Sequence, residues 1–319
     1  MPTSFGWASL SVTRFFLASC VIITHSGIIS PNTKVFELLG QTGYPAVFAF
    51  FLISGFSIAH SIKQNPHRFY FRRFRRIYPE YCLAILLSLA TTFFGPLTLP
   101  NIGIIYSPSL FETIGNLLML QGFFVNPLAT DGPVWSLSIE WWLYMLAPFL
   151  ARISFFAVFT LSLASFLGLV IFYQCMGYIQ VLPLGLNIFF LSFAWLAGFT
   201  FFQKRTILTF MNMIIPSLIL FNYYIDLKYG SLIIIFTALI IGISNININI
   251  NKYILSTTKT LGDLSYPLYL MHVPLLFYVG ANMKNLSNSY IPILVIYLSV
   301  ITLFIIYKGL SKVFYIFIK

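Results

Sequence analysis

An arginine and a histidine stand eleven residues apart in the apolar stretch RFFLASCVIITH, residues 14–25. Eleven residues is almost three turns of α-helix, so Arg14 and His25 project from one face, ~16 Å apart along the axis. Ionisable groups inside an apolar span mark a path or a site, because they are costly there. Imidazole is the side chain suited to act as a general base near neutral pH. A carboxylate that holds it in one tautomer would complete the base. Glu140, in GPVWSLSIEWWLYMLAP (132–148), is expected to be that carboxylate, about one turn inside the outer end of its helix and level with His25. Tyr144 lies four residues on and shares its face. The simpler reading lets Arg14 snorkel to the headgroups and His25 cap its helix end. The two residues alone leave both readings open.

A second group of chemically useful residues is RFYFRRFRRIYPEY (68–81), with arginines at 68, 72, 73, 75 and 76. Arg72, Arg75 and Arg76 recur at helical spacing with Phe and Tyr between them. Their planar forks suit phosphate, either on a soluble donor or on anionic lipid headgroups. Membrane topology alone would also gather such a run on one side.

The elements that must carry these residues are membrane helices. Of 319 residues, 59% are hydrophobic and 8% charged, and the mean hydropathy is +0.90. That composition excludes a water-soluble core with a polar surface. A span needs ~20 apolar residues, and about ten such runs are expected at 8–29, 44–62, 80–99, 136–151, 153–174, 183–202, 207–227, 229–244, 262–281 and 290–316. The fold class is therefore all-α and polytopic, in a single integral-membrane domain (1–319) with no added soluble domain. The segment 109–125 is apolar but short and carries Glu112, Gly115 and Asn116. It is expected to be re-entrant or to lie on the outer surface. NINININ (245–251) alternates with period two, yet is short enough to be a connection.

Lys and Arg number 18 against seven Asp and Glu, a formal net charge of +11. In a membrane protein this excess reports orientation rather than nucleic acid. The segment 63–76 holds six of the basic residues, so it is expected in the cytoplasm with both termini. Residues 30–43 are then outside, and Lys204, Arg205, Lys252, Lys259, Lys308, Lys312 and Lys319 fall inside. Cys20, Cys82 and Cys175 all lie in apolar runs, which argues against a disulfide framework. LASC (17–20) imitates a lipoprotein cleavage box, but Arg14 before it and VII after it make it part of a continuing span. No metal site is expected.

Five stretches taken in order resemble the acyltransferase-3 family of integral-membrane O-acyltransferases. They are Arg14 and His25 themselves, FFLISGF (50–56), RRFRRIYP (72–79), WSLSIEWWLY (135–144) and LGDLSYPLYLMH (261–272). The resemblance implies transfer of an acyl group, usually acetyl from acetyl-coenzyme A, to a hydroxyl of an extracytoplasmic saccharide. Lipopolysaccharide O-antigen, another surface glycan or a lipid-linked saccharide would be the acceptor, in a bacterial inner membrane. Acetyl-coenzyme A would be a substrate, with no permanently bound cofactor. On this reading His25 and Glu140 are catalytic, and Arg14, Arg72, Arg75 and Arg76 hold the donor. Trp135, Ser136, Tyr144, Tyr269 and His272 are expected to line the cavity or supply oxyanion donors. Direct transfer and a covalent acyl-His25 intermediate both remain open. A transporter or flippase of lipid-linked saccharides is the alternative of a different class.

Overall fold

In hydrocarbon every backbone N–H and C=O must be paired within its own segment, which favours helix wherever an apolar run is long enough. In the computed structural model, which describes residues 1–93, 95–99, 102–176, 185–225, 227, 229–283, 286 and 289–317, each of the ten apolar runs carries helix. The helices are α1 (Ser4–Ser26), α2 (Lys34–Leu39), α3 (Gly43–Gln64), α4 (Phe69–Thr92), α5 (Leu110–Leu117), α6 (Val134–Leu150), α7 (Phe155–Met176), α8 (Leu186–Leu191), α9 (Phe193–Gln203), α10 (Ile207–Ile219), α11 (Gly230–Gly242), α12 (Lys252–Asn282) and α13 (Ile291–Phe317). Among the described residues six segments are long and apolar enough to cross a membrane, with α8 and α9 counting as one and α10 extended by a wide turn to Tyr224. The fold is an all-α membrane protein. Residues 183 and 184 of the expected sixth span, and Lys319, lie outside the described residues.

The largest departures from the expected boundaries are both ends of α4 and the start of α12, which lies at Lys252 rather than at 262. The basic run is not a connection: α4 begins at Phe69 and carries the arginines on its first two turns. Arg and aromatic residues at helical spacing let it continue into the apolar stretch. It also ends early, at Thr92, where Gly95 at φ +136° and Pro96 break the helix. Leu97–Leu99 (β1) then pairs antiparallel with Gly103–Ile105 (β2). Residues 246–251 form neither helix nor strand.

Helix α5 folds back against α4 and α6. Its carbonyls at Asn116 and Leu117 accept from Tyr81 Oη (2.6 Å) and Tyr78 Oη (2.9 Å), about half-way along α4. Met119, at the tip with φ +57°, accepts from Ser138 Oγ (2.7 Å) and Trp142 Nε1 (2.9 Å) of α6. The chain thus dips to the level of mid-helix residues and returns to Pro133.

Close packing comes from small residues. Gly55 of α3 and Gly198 of α9 lie backbone to backbone: an added Cβ would sit 1.9 Å from Trp195 O in one case and 2.0 Å from Leu52 O in the other. Helices α1 and α12 run parallel, with Gly262 against Ser11 and Gly280 against Ile29. That register sets His25 beside His272.

Candidate active site

Arg14 and His25 do face one interior, but they open on two cavities. One lies toward the arginine end of the bundle. Arg14 from α1, Arg73 and Arg76 from α4, and Glu140 and Tyr144 from α6 line it, and its volume is about 130 Å³. The other lies toward the far end, is walled largely by apolar groups and holds about 580 Å³. His25, Tyr44, Trp135 and Phe277 line it. Val47 and Tyr269 border both cavities and form the wall between them. Tyr269 Oη is held 2.6 Å from Ser136 Oγ and donates to Pro133 O at 3.1 Å.

The arginine-lined cavity is a chain of hydrogen bonds ending on a carboxylate. Trp195 Nε1 donates to Ser54 Oγ at 3.2 Å. Ser54 Oγ lies 3.0 Å from Tyr144 Oη. Tyr144 Oη donates to Glu140 Oε1 at 2.5 Å. Because the Tyr144 proton is committed to Glu140, Ser54 donates to Tyr144, and all three donors point toward Glu140. Ser54 is the serine of FFLISGF and reaches this site because Gly55 lets α9 and Trp195 approach. Arg14 donates to Ser57 Oγ at 2.7 Å, and Arg73 to Ser61 Oγ at 2.7 Å. Three guanidinium groups around one carboxylate leave the cavity with surplus positive charge.

Glu140 does not hold His25. Helix α6 starts at Val134, which puts Glu140 six residues in, whereas His25 is the penultimate residue of α1. The two differ in depth and line different cavities. His25 Nδ1 lies instead 2.9 Å from Val21 O and 3.1 Å from His272 Nε2.

Among the arginines the cavity face is Arg73, Arg76 and Ile77, an i, i+3, i+4 set. Spacing alone suggested Arg72 and Arg75, but Arg72 bonds the backbone carbonyls of His67 and Asn65 in the turn before α4. Arg75 is exposed and lines neither cavity. Arg73 could have been found from its i, i+3 relation to Arg76. Trp135 faces the far cavity, with its ring 6.2 Å from that of Tyr44. Ser136 faces the arginine-lined one. His272 is fully buried and lines neither. Among the described residues no group of three His, Cys, Asp or Glu is placed to hold a metal.

The chain matches the family described as an acyltransferase domain over residues 7–309. It belongs to this acyltransferase family. No curated protein and no solved structure matches it. Membership makes it a membrane acyltransferase.

Proposed function

We propose that this acyltransferase moves an acyl group, acetyl in the first instance, from coenzyme A to a saccharide hydroxyl on the opposite side of the membrane. The observation that carries the reading is that a cationic cavity and a histidine-lined cavity meet at one wall, Val47 and Tyr269. Surplus guanidinium charge calls for an anionic ligand, and phosphates suit the planar forks of Arg14, Arg73 and Arg76. The cavity behind them, about 130 Å³, is smaller than the ~300 Å³ of ordinary ligand pockets. It suits an extended acyl-pantetheine arm with the nucleotide left at the mouth. The far cavity, about 580 Å³, has room for a sugar. The positive-inside rule puts the arginine end in the cytoplasm, where acyl-coenzyme A is made; in a bacterium this is the inner membrane. A surface glycan such as lipopolysaccharide O-antigen, or a lipid-linked saccharide, is the acceptor.

In direct transfer the acceptor oxygen attacks the thioester carbonyl while its proton passes to His25 Nε2. The C–O bond forms, the C–S bond breaks, and the thiolate leaves with the proton returned from His25. Glu140 and Tyr144 belong to the donor end, where they line one cavity with the guanidinium groups.

Purified protein given acetyl-coenzyme A and surface saccharides should release free coenzyme A thiol in step with acceptor acetylation. His25→Ala should slow both by the ~10²–10⁴ typical of a lost general base. Thiol release that ignores the saccharide, or an unimpaired His25→Ala protein, would overturn the reading.

A further inference from the structure

The structure assigns His272 to position the base: its Nε2 accepts the Nδ1 proton of His25, in the place expected of Glu140. A backbone carbonyl only accepts, so the His272 Nδ1 that lies 2.7 Å from Tyr269 O carries a hydrogen. Neutral His272 therefore offers a bare Nε2, and that atom lies 3.1 Å from His25 Nδ1. His25 Nδ1 also lies 2.9 Å from Val21 O, so it too must carry hydrogen, shared between the two acceptors. The hydrogens are assigned from the acceptors present. Both assignments agree, and together they leave His25 Nε2 as the lone-pair nitrogen of a ring that lines the far cavity.

The inference rests on the reading of His25 as the base and names what holds it. When the acceptor hydroxyl gives its proton to His25 Nε2, the new positive charge is met at Nδ1 by two neutral acceptors, Val21 O and His272 Nε2. A carboxylate is not required, and among the described residues none is hydrogen-bonded to either ring: Glu140 lines the other cavity. A neutral partner also spares the fold an ion pair buried among apolar groups, whose desolvation would offset its attraction. His272 is fully buried and lines neither cavity, so its part is exerted through His25 and not on substrate. Its anchor, the Tyr269 carbonyl, belongs to the residue that walls the two cavities. One turn of α12 thus fixes both the base and the wall beside it.

Steady-state transfer is measured with His272→Phe, which keeps a ring and loses the acceptor, and His272→Gln, whose side-chain oxygen restores one. His272→Phe should lower kcat by roughly tenfold or more, as loss of an orienting partner does, with donor KM within about twofold of wild type. His272→Gln should recover most of the rate. In a His25→Ala background, added imidazole should restore part of the rate, and should fail when His272→Phe is present as well. Wild-type kcat in His272→Phe, or imidazole rescue indifferent to His272, would overturn the inference while leaving His25 as the base. Full activity in His25→Ala would instead overturn the reading on which it rests. Should His272→Phe not give monodisperse protein, His272→Leu takes its place. Should neither fold, folded His272→Gln decides: near wild-type kcat supports the inference, and a tenfold loss overturns it.

Discussion

Arg72 and Arg73 are sequence neighbours in opposite surroundings. Arg72 stitches the 65–67 backbone to the start of α4. Arg73 lines the cationic cavity over the Phe69 ring at 5.6 Å, with its Nε buried and unpaired among the described residues. A charge-assisted hydrogen bond is worth ~1.5–3 kcal/mol. Arg73→Ala should therefore weaken acetyl-coenzyme A binding by roughly ten- to a hundredfold, whereas Arg72→Ala should change it little. Equal losses in a direct binding titration would show that the two arginines act only as cytoplasmic charge. Asp131 is a second residue with a distinct fate. It sits in the turn Ala129–Asp131 before α6, fully buried, and neither carboxylate oxygen has a partner among the described residues. Burial pushes its carboxyl well above the usual carboxylate range. A carboxyl whose folded pKa is raised stabilises the fold below its unfolded pKa of about 4, and that contribution is lost as pH rises toward the folded value. Asp131→Asn should raise the melting temperature in detergent at neutral pH and flatten its decline above pH ~4. An unchanged pH profile would show that Asp131 ionises freely.

At the scale of helices, the arginine-lined site depends on how close α3 and α9 approach. Gly55→Ala or Gly198→Ala would drive a methyl group into a facing carbonyl. Overpacking of this kind costs ~1–3 kcal/mol, and moving α9 also moves Trp195 away from Ser54. Both variants should give less monodisperse protein, and what survives should bind donor more weakly; normal yield and binding would mean the contact is slack. The helices themselves were legible in the sequence, because ~20-residue apolar runs leave the backbone little else to do. The two faces were less so. Periodicity put Arg14 and His25 on one side of α1, but nothing local says that they meet different cavities. A helix beginning at 136 would set Glu140 level with His25; α6 begins at Val134, which carries Glu140 two residues further from its end. His272 comes from a helix 247 residues away in sequence, and only the parallel register of α1 and α12, set by Gly262 and Gly280 against α1 and the residues just beyond it, brings it to His25. Helical spacing fits Arg72, Arg75 and Arg76 as well as it fits Arg73 and Arg76, and only the packing of α4 shows that Arg73 and Arg76 face the cavity.

Taken whole, the molecule is a bundle with a cationic opening at one end, an apolar-walled cavity with one imidazole at the other, and a wall of Val47 and Tyr269 between. The central claim is that acyl chemistry crosses the membrane at that wall, with donor and acceptor on opposite sides. The direct measurement is sided: protein reconstituted into vesicles, with isotopically labelled acetyl-coenzyme A supplied only at the arginine end and saccharide only at the far end. Label should appear on the saccharide with wild-type protein and be lost with His25→Ala, while coenzyme A stays on its own side. Transfer that requires donor and acceptor in the same compartment, or that survives His25→Ala, would contradict the account.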